Sequence, residues 1–209
     1  MKNRFLYGVF IVLISMYSYA QSSVFFTTKA KDTVRINETF NEKDTTSSKS
    51  LQNRLKPIQA NFKRINSMTK WTSVQKKNIE GESAEGGEAT FYYTDKRLKK
   101  VIARHYGEMG QVLIEYYLLN GQLSFVFEKE YRYNRPLFYD AKAMKENNDT
   151  EAFDLKKSKI TMTRNYFEKG NIILINTTTG RESNISADYP AEQEKSITED
   201  FKRLLKLAD

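Results

Sequence analysis

The sequence predicts an α+β fold, an antiparallel β-meander of about five to seven strands with amphipathic helices packed on it from both sequence ends. Three observations carry this expectation. Beyond Trp71, runs rich in β-branched and aromatic residues are separated by short turn signals. Leu51, Leu55, Ile58, Phe62 and Ile65 recur at steps of four and three, one face of a helix. Ile197, Phe201, Leu204, Leu205 and Ala208 form a second such stripe.

The first element is a leader. MKNRFLYGVFIVLISMYSYA places Lys2 and Arg4 ahead of an apolar run from Phe5 to Met16 and closes in Ser18-Tyr19-Ala20, a small-x-small cleavage pattern. The run is shorter than the ~20 residues of a spanning helix. It therefore reads as a signal peptide, 1–20, with the mature chain starting at Gln21, and no later segment is apolar enough to cross a bilayer. The chain has 0 Cys, so an exported form relies on its core rather than on disulfides and lacks the thiol a lipoprotein would acylate. The expected location is periplasmic or secreted.

Composition then limits partners. Of 34 basic and 26 acidic residues, only Lys2 and Arg4 lie in the leader, leaving 32 − 26 = +6 for the mature chain. Such a balance favours anionic surfaces, but the charges are interspersed along the chain. Nucleic acid is not an expected partner of an exported protein; an envelope protein or polymer is.

Residues 21–50 read as a flexible polar arm with a short strand near 33–36, and 51–209 as a single α+β domain. The docking helix 51–65 contains Pro57, which should kink it or mark its restart. KWTSVQKKNIE opens the sheet, GESAEGGEA is a loop, and ATFYYT, LKKVIARHY, QVLIEYYLL, QLSFVFEKEYRY, KITMTRNYF and NIILINTT follow as strands. NRPLFYDAKAMKENNDTEAFDLKKS is an excursion with a helical turn near 141–146. Pro190, with Glu192 and Glu194 after it and Lys202, Arg203 and Lys206 at the far end, suits the start and end of the last helix.

Asn120-Gly121 is the strongest hairpin signal, since both positions of a type I′ turn need positive φ. Counting outward from it pairs Leu118 with Leu123 and Tyr116 with Phe125. That register predicts an apolar core face of Ile114, Tyr116, Leu118, Leu123, Phe125 and Phe127. The opposite, mixed face carries Glu115, Tyr117 and Glu128; it is expected to be covered by a loop or helix of the chain or, failing that, to form an interaction face.

FYYTDKRL (91–98), YYLLNGQL (116–123) and YFEKGNI (166–172) share paired aromatics, a turn and an aliphatic restart, with YRYNRPL (131–137) a degenerate fourth. The form resembles the YYxNGxL hairpins of bacterial MORN-type repeat proteins. RINSMTKWTSV, EGGEATFYY, EYYLLNGQLSFVFEKEYRYNRP and AMKENNDTEAFD together resemble a family of uncharacterised exported proteins of Gram-negative bacteria. That likeness implies export and the sheet, and supplies no catalytic, cofactor or metal residues.

The chemistry the residues offer points the same way. One His and no Cys make no transition-metal constellation along the sequence. Asn147, Asn148, Asp149, Glu151 and Asp154 offer oxygens without the spacing of a calcium loop. His105 has no nucleophile motif beside it and reads as structural or surface. Glu128 and Glu130 share a strand face, as a glycosidase pair would, but Lys129 and Arg132 make an ion-paired surface the plainer reading. Sequons at Asn37, Asn148, Asn176 and Asn184 suit chance in an Asn- and Thr-rich chain. The expected role is a non-catalytic binding or structural protein of the cell envelope with no cofactor. The alternative is a hydrolase of envelope polymers working through Glu115, Glu128 and Glu130.

Overall fold

Residue alternation and turn chemistry build one sheet. In the computed structural model, which describes residues 49–177 and 189–208, seven strands pair in sequence order, each antiparallel to the next. They are β1 (Ser73–Ile79), β2 (Gly87–Thr94), β3 (Arg97–Gly107), β4 (Gly110–Leu119), β5 (Gln122–Arg132), β6 (Lys159–Glu168) and β7 (Asn171–Thr177). Helix α1 (Lys49–Asn66) precedes them, α2 (Ala141–Glu146) sits in the excursion, and α3 (Tyr189–Ala208) follows. The leader, the arm up to residue 48, the strand expected near 33–36 and the sequons at Asn37 and Asn184 lie outside the described residues.

The turns explain the meander. Asp95-Lys96, Asn120-Gly121 and Lys169-Gly170 all hold positive φ at both positions, the type I′ geometry whose twist matches that of the strands. The return from β3 to β4 is a different kind of turn, and at Gly110 a Cβ would run into the carbonyl of Tyr131.

Each of the three type I′ hairpins also carries a bulge at the same place. Two pairs form next to the turn, then the second strand contributes one extra residue: Lys99, Ser124 and Ile173. The three repeated sequence units are thus three copies of one bulged hairpin. YRYNRPL is not a fourth, because β5 ends at Arg132 and the chain leaves the sheet there.

The bulge at Ser124 corrects the expected faces. Leu118 does pair with Leu123, but beyond it Tyr117 pairs with Phe125, Tyr116 with Val126, Glu115 with Phe127 and Ile114 with Glu128. Phe125 and Phe127 therefore join Glu115 and Tyr117, while Glu128 joins Ile114 and Tyr116. The predicted interaction face of Glu115, Tyr117 and Glu128 is split between the two sides of the sheet.

One helix lies against each side. Phe62 of α1 sets its ring 4.9 Å from that of Tyr117 and 5.3 Å from that of Phe125, and Leu55, Ile58, Phe62 and Ile65 are buried. The helix runs through Pro57 as one element. On the other side Ile197 and Leu204 of α3 join Ala89, Phe91, Val101, Ala103, Tyr116 and Val126, with Phe201, Leu207 and Ala208 packed around them. Helix α3 crosses the strands: Glu194 accepts from the amide of Ile172 in β7 at 2.7 Å, and Arg203 reaches Glu82 beyond β1 at 2.5 Å. Its 20 residues span about 30 Å, and seven strands spaced about 4.8 Å apart cover nearly the same width.

The excursion is fastened by its own polar groups. Asp140 caps α2 through the amides of Lys142 and Ala143. Arg135 grips both oxygens of Asp149 at 2.8 and 2.9 Å, holding that carboxyl down at about 2. Glu151 takes Asn134 and Lys157, and Asp154 caps a short 3₁₀ turn, 155–157. The three carboxylates read as calcium candidates, Asp149, Glu151 and Asp154, thus serve the loop itself.

Candidate functional site

Two polar clusters occupy the two sides of the sheet. Under α1, Glu115 and Lys100 are 6 % and 9 % exposed and form an ion pair at 2.5 Å. Lys100 spends its other donors on the Tyr117 hydroxyl at 2.8 Å and on Asn66 Oδ1 at 3.3 Å, while Tyr117 donates to Glu115. A buried charge pair is tolerated only when its remaining hydrogen-bonding capacity is met, and here all three ammonium protons have acceptors. Glu115 and Tyr117 are therefore closed inside the fold. Of the two readings of that face, cover by a helix of the chain holds for Glu115 and Tyr117, and as members of an interaction face they are corrected to interior residues.

The α3 side is different because α3 crosses above the middle strands and leaves a recess. A cavity of about 690 Å³ is lined by Val112, Ile114, Tyr116 and Ile197 as apolar floor, with Glu128, Glu192, Glu199, Asp200, Lys195 and Arg203 around it and His105 at one end. Four carboxylates face two permanent cations, so the recess favours a positively charged or hydrogen-bond-donating guest. Glu128 has one side-chain hydrogen bond among the described residues, from Gln193 Nε2 at 3.4 Å. Burial pushes its carboxyl up, with Glu130 and Asp200 adding to the effect. Glu130 shares that face but is ion-paired with Arg132 at 3.5 Å.

At the His105 end the loop after β1, strands β3 and β4, and α3 meet. His105 Nδ1 lies 2.8 Å from Glu82 Oε2, and its Nε2 lies 3.7 Å from Asp200 Oδ2. Tyr116 donates to that same Oδ2; burial first, and then the Asp200 charge, push the Tyr116 hydroxyl well above its ordinary range. Arg203 holds the outer oxygens, Glu82 Oε1 and Asp200 Oδ1.

Sequence reading placed His105 without a carboxylate partner, because Glu82 comes from a loop and Asp200 from the far end of the chain. A signal was present. Asp200 falls between Ile197, Phe201 and Leu204, so helical spacing sets a carboxylate inside an apolar stripe, where it needs a partner. Compared with family models, curated proteins and solved structures, the chain matches none.

Proposed function

We propose that the protein is an exported, non-catalytic binding protein of the cell envelope, and that its ligand presents a compact cationic or amine group to the recess between α3 and β3–β5. The leader-like N-terminus and the resemblance of the region from about 63 to 175 to exported Gram-negative proteins support the compartment. The observation that carries the binding reading is Glu128, a largely buried carboxylate with a single long hydrogen bond, facing a cavity of about 690 Å³. A buried anionic group with capacity to spare is worth more to a bound cation than to the empty fold.

The hydrolase reading loses its expected constellation, because Glu115 lies on the far side of the sheet from Glu128 and Glu130. Binding to envelope fractions by wild type and by Glu128→Gln tests the proposal. Wild type should retain an envelope component that the variant releases, with both proteins melting cooperatively. Equal retention by the two would place the site elsewhere, and release of soluble fragments from the envelope polymer by wild type alone would restore the hydrolase.

A further inference from the structure

We propose that His105 and Asp200 bind one divalent transition-metal ion, of which Zn²⁺ suits the donors best, at the end of the recess. The site shares His105, Asp200 and Arg203 with the lining of the recess, but its test reads Zn²⁺ at His105 and Asp200 whereas the guest's test turns on Glu128, so the two ideas fail separately. The Nδ1 contact with Glu82 at 2.8 Å makes Nδ1–H the donor, so in the neutral imidazole Nε2 carries the lone pair. That nitrogen is shut off from solvent and has no hydrogen-bond partner among the described residues. What it faces is Asp200 Oδ2 at 3.7 Å, and a lone pair set against a carboxylate oxygen calls for a cation between them.

The spacing fits. With Zn–N and Zn–O bonds of about 2.0–2.1 Å, tetrahedral donors stand about 3.3 Å apart, so a closure of a few tenths of an ångström suffices. A carboxylate behind the imidazole is the arrangement that orients a metal-binding histidine and raises its basicity, and Glu82 supplies it. Arg203 occupies the outer oxygens of Glu82 and Asp200, which turns an inner oxygen of each toward His105. All three side chains place a ligand atom within 4.8 Å of the others. With a neutral imidazole, Glu82, Asp200 and Arg203 sum to one negative charge, and Glu128 adds to the field. One nitrogen beside carboxylate oxygen favours Zn²⁺ over Mg²⁺ or Ca²⁺, which take oxygen alone.

The rival occupant is a proton on Nε2, and the experiment separates the two. The chain has 1 His, so untagged, isotope-labelled protein gives a single set of imidazole NMR signals. Titration with Zn²⁺ at constant pH should shift those signals and saturate at one ion per chain. Calorimetry should show that binding lost in His105→Gln and Asp200→Asn, weakened roughly 10–100-fold in Glu82→Gln, and kept in Asp149→Asn, whose carboxylate lies in the excursion. Imidazole signals that ignore Zn²⁺ while responding to acid would overturn the proposal in favour of the proton. Undiminished Zn²⁺ binding by a folded Asp200→Asn protein would overturn it as well, and that arm decides the matter even if His105→Gln fails to fold.

Discussion

The cluster under α1 and the cluster beside α3 are made of the same materials, a tyrosine, carboxylates and a cation, on opposite sides of the same strands. Tyr117 and Tyr116 are neighbours in β4, and each hydroxyl donates to a carboxylate. Under α1 the ion pair joins adjacent strands, Lys100 of β3 and Glu115 of β4, and the cation has no spare proton, so the group is closed. Beside α3 the partners come from a loop and a distant helix, Arg203 is exposed, and His105 Nε2 and Glu128 keep unused capacity. Polar groups that satisfy one another specify a fold, and those that stop short of doing so are left to meet something else.

The largest effect that would break this contrast comes from Glu115→Ala. It leaves Lys100 buried without its anion and should cost about 3–5 kcal/mol in urea unfolding, whereas Lys100→Met with Glu115→Leu should restore most of the loss. A small loss in the single variant would mean that the network is wet, and the two clusters alike.

Asn61→Leu should come next, at about 1–3 kcal/mol by the same measurement. Its amide donates to Leu118 O at 3.1 Å and to Ser124 Oγ at 3.4 Å, so it fastens the bulge that assigns residues to the two sides. Without it the carbonyl is left buried and unmatched.

The smallest effect belongs to Glu128→Gln, and it carries a sign. Because burial raises the Glu128 carboxyl in the folded state, the native protein holds that proton more tightly than the unfolded chain does. Stability is therefore lost as pH rises from the ordinary carboxylate value through the raised one. Melting temperatures of wild type and variant should coincide at the acid end and separate above that window, the variant melting slightly higher. Equal curves throughout would place Glu128 in water and remove the contrast from the α3 side.

Much of this was legible in the sequence. All seven strands, the type I′ turn at Asn120-Gly121 and the helical turn at 141–146 follow from apolar period and turn residues. What was not legible was phase. Ser124 is a small polar residue in a strand, which is also how an ordinary outward-facing residue looks, so counting through it moved Phe125 and Phe127 to the wrong side. Asn61 and Asp200 were the available corrections, each a polar residue at a stripe position that implies a buried partner. Which partner could not follow from spacing, because Leu118 and His105 reach them only through the folded sheet.

The matching bulges at Lys99, Ser124 and Ile173 give the chain slack. On either side of each extra residue the pairs keep their partners and their sides, so taking that residue out would close the ladder without moving a neighbour to the other face. Most positions in a sheet covered on both sides lack this freedom, since losing one residue there turns every later side chain over. Length in this protein is thus negotiable by single residues at three sites along one end of the sheet. Of the three, Ser124 is the least free, because its hydroxyl is tied to the carbonyl of Tyr117 and to Asn61.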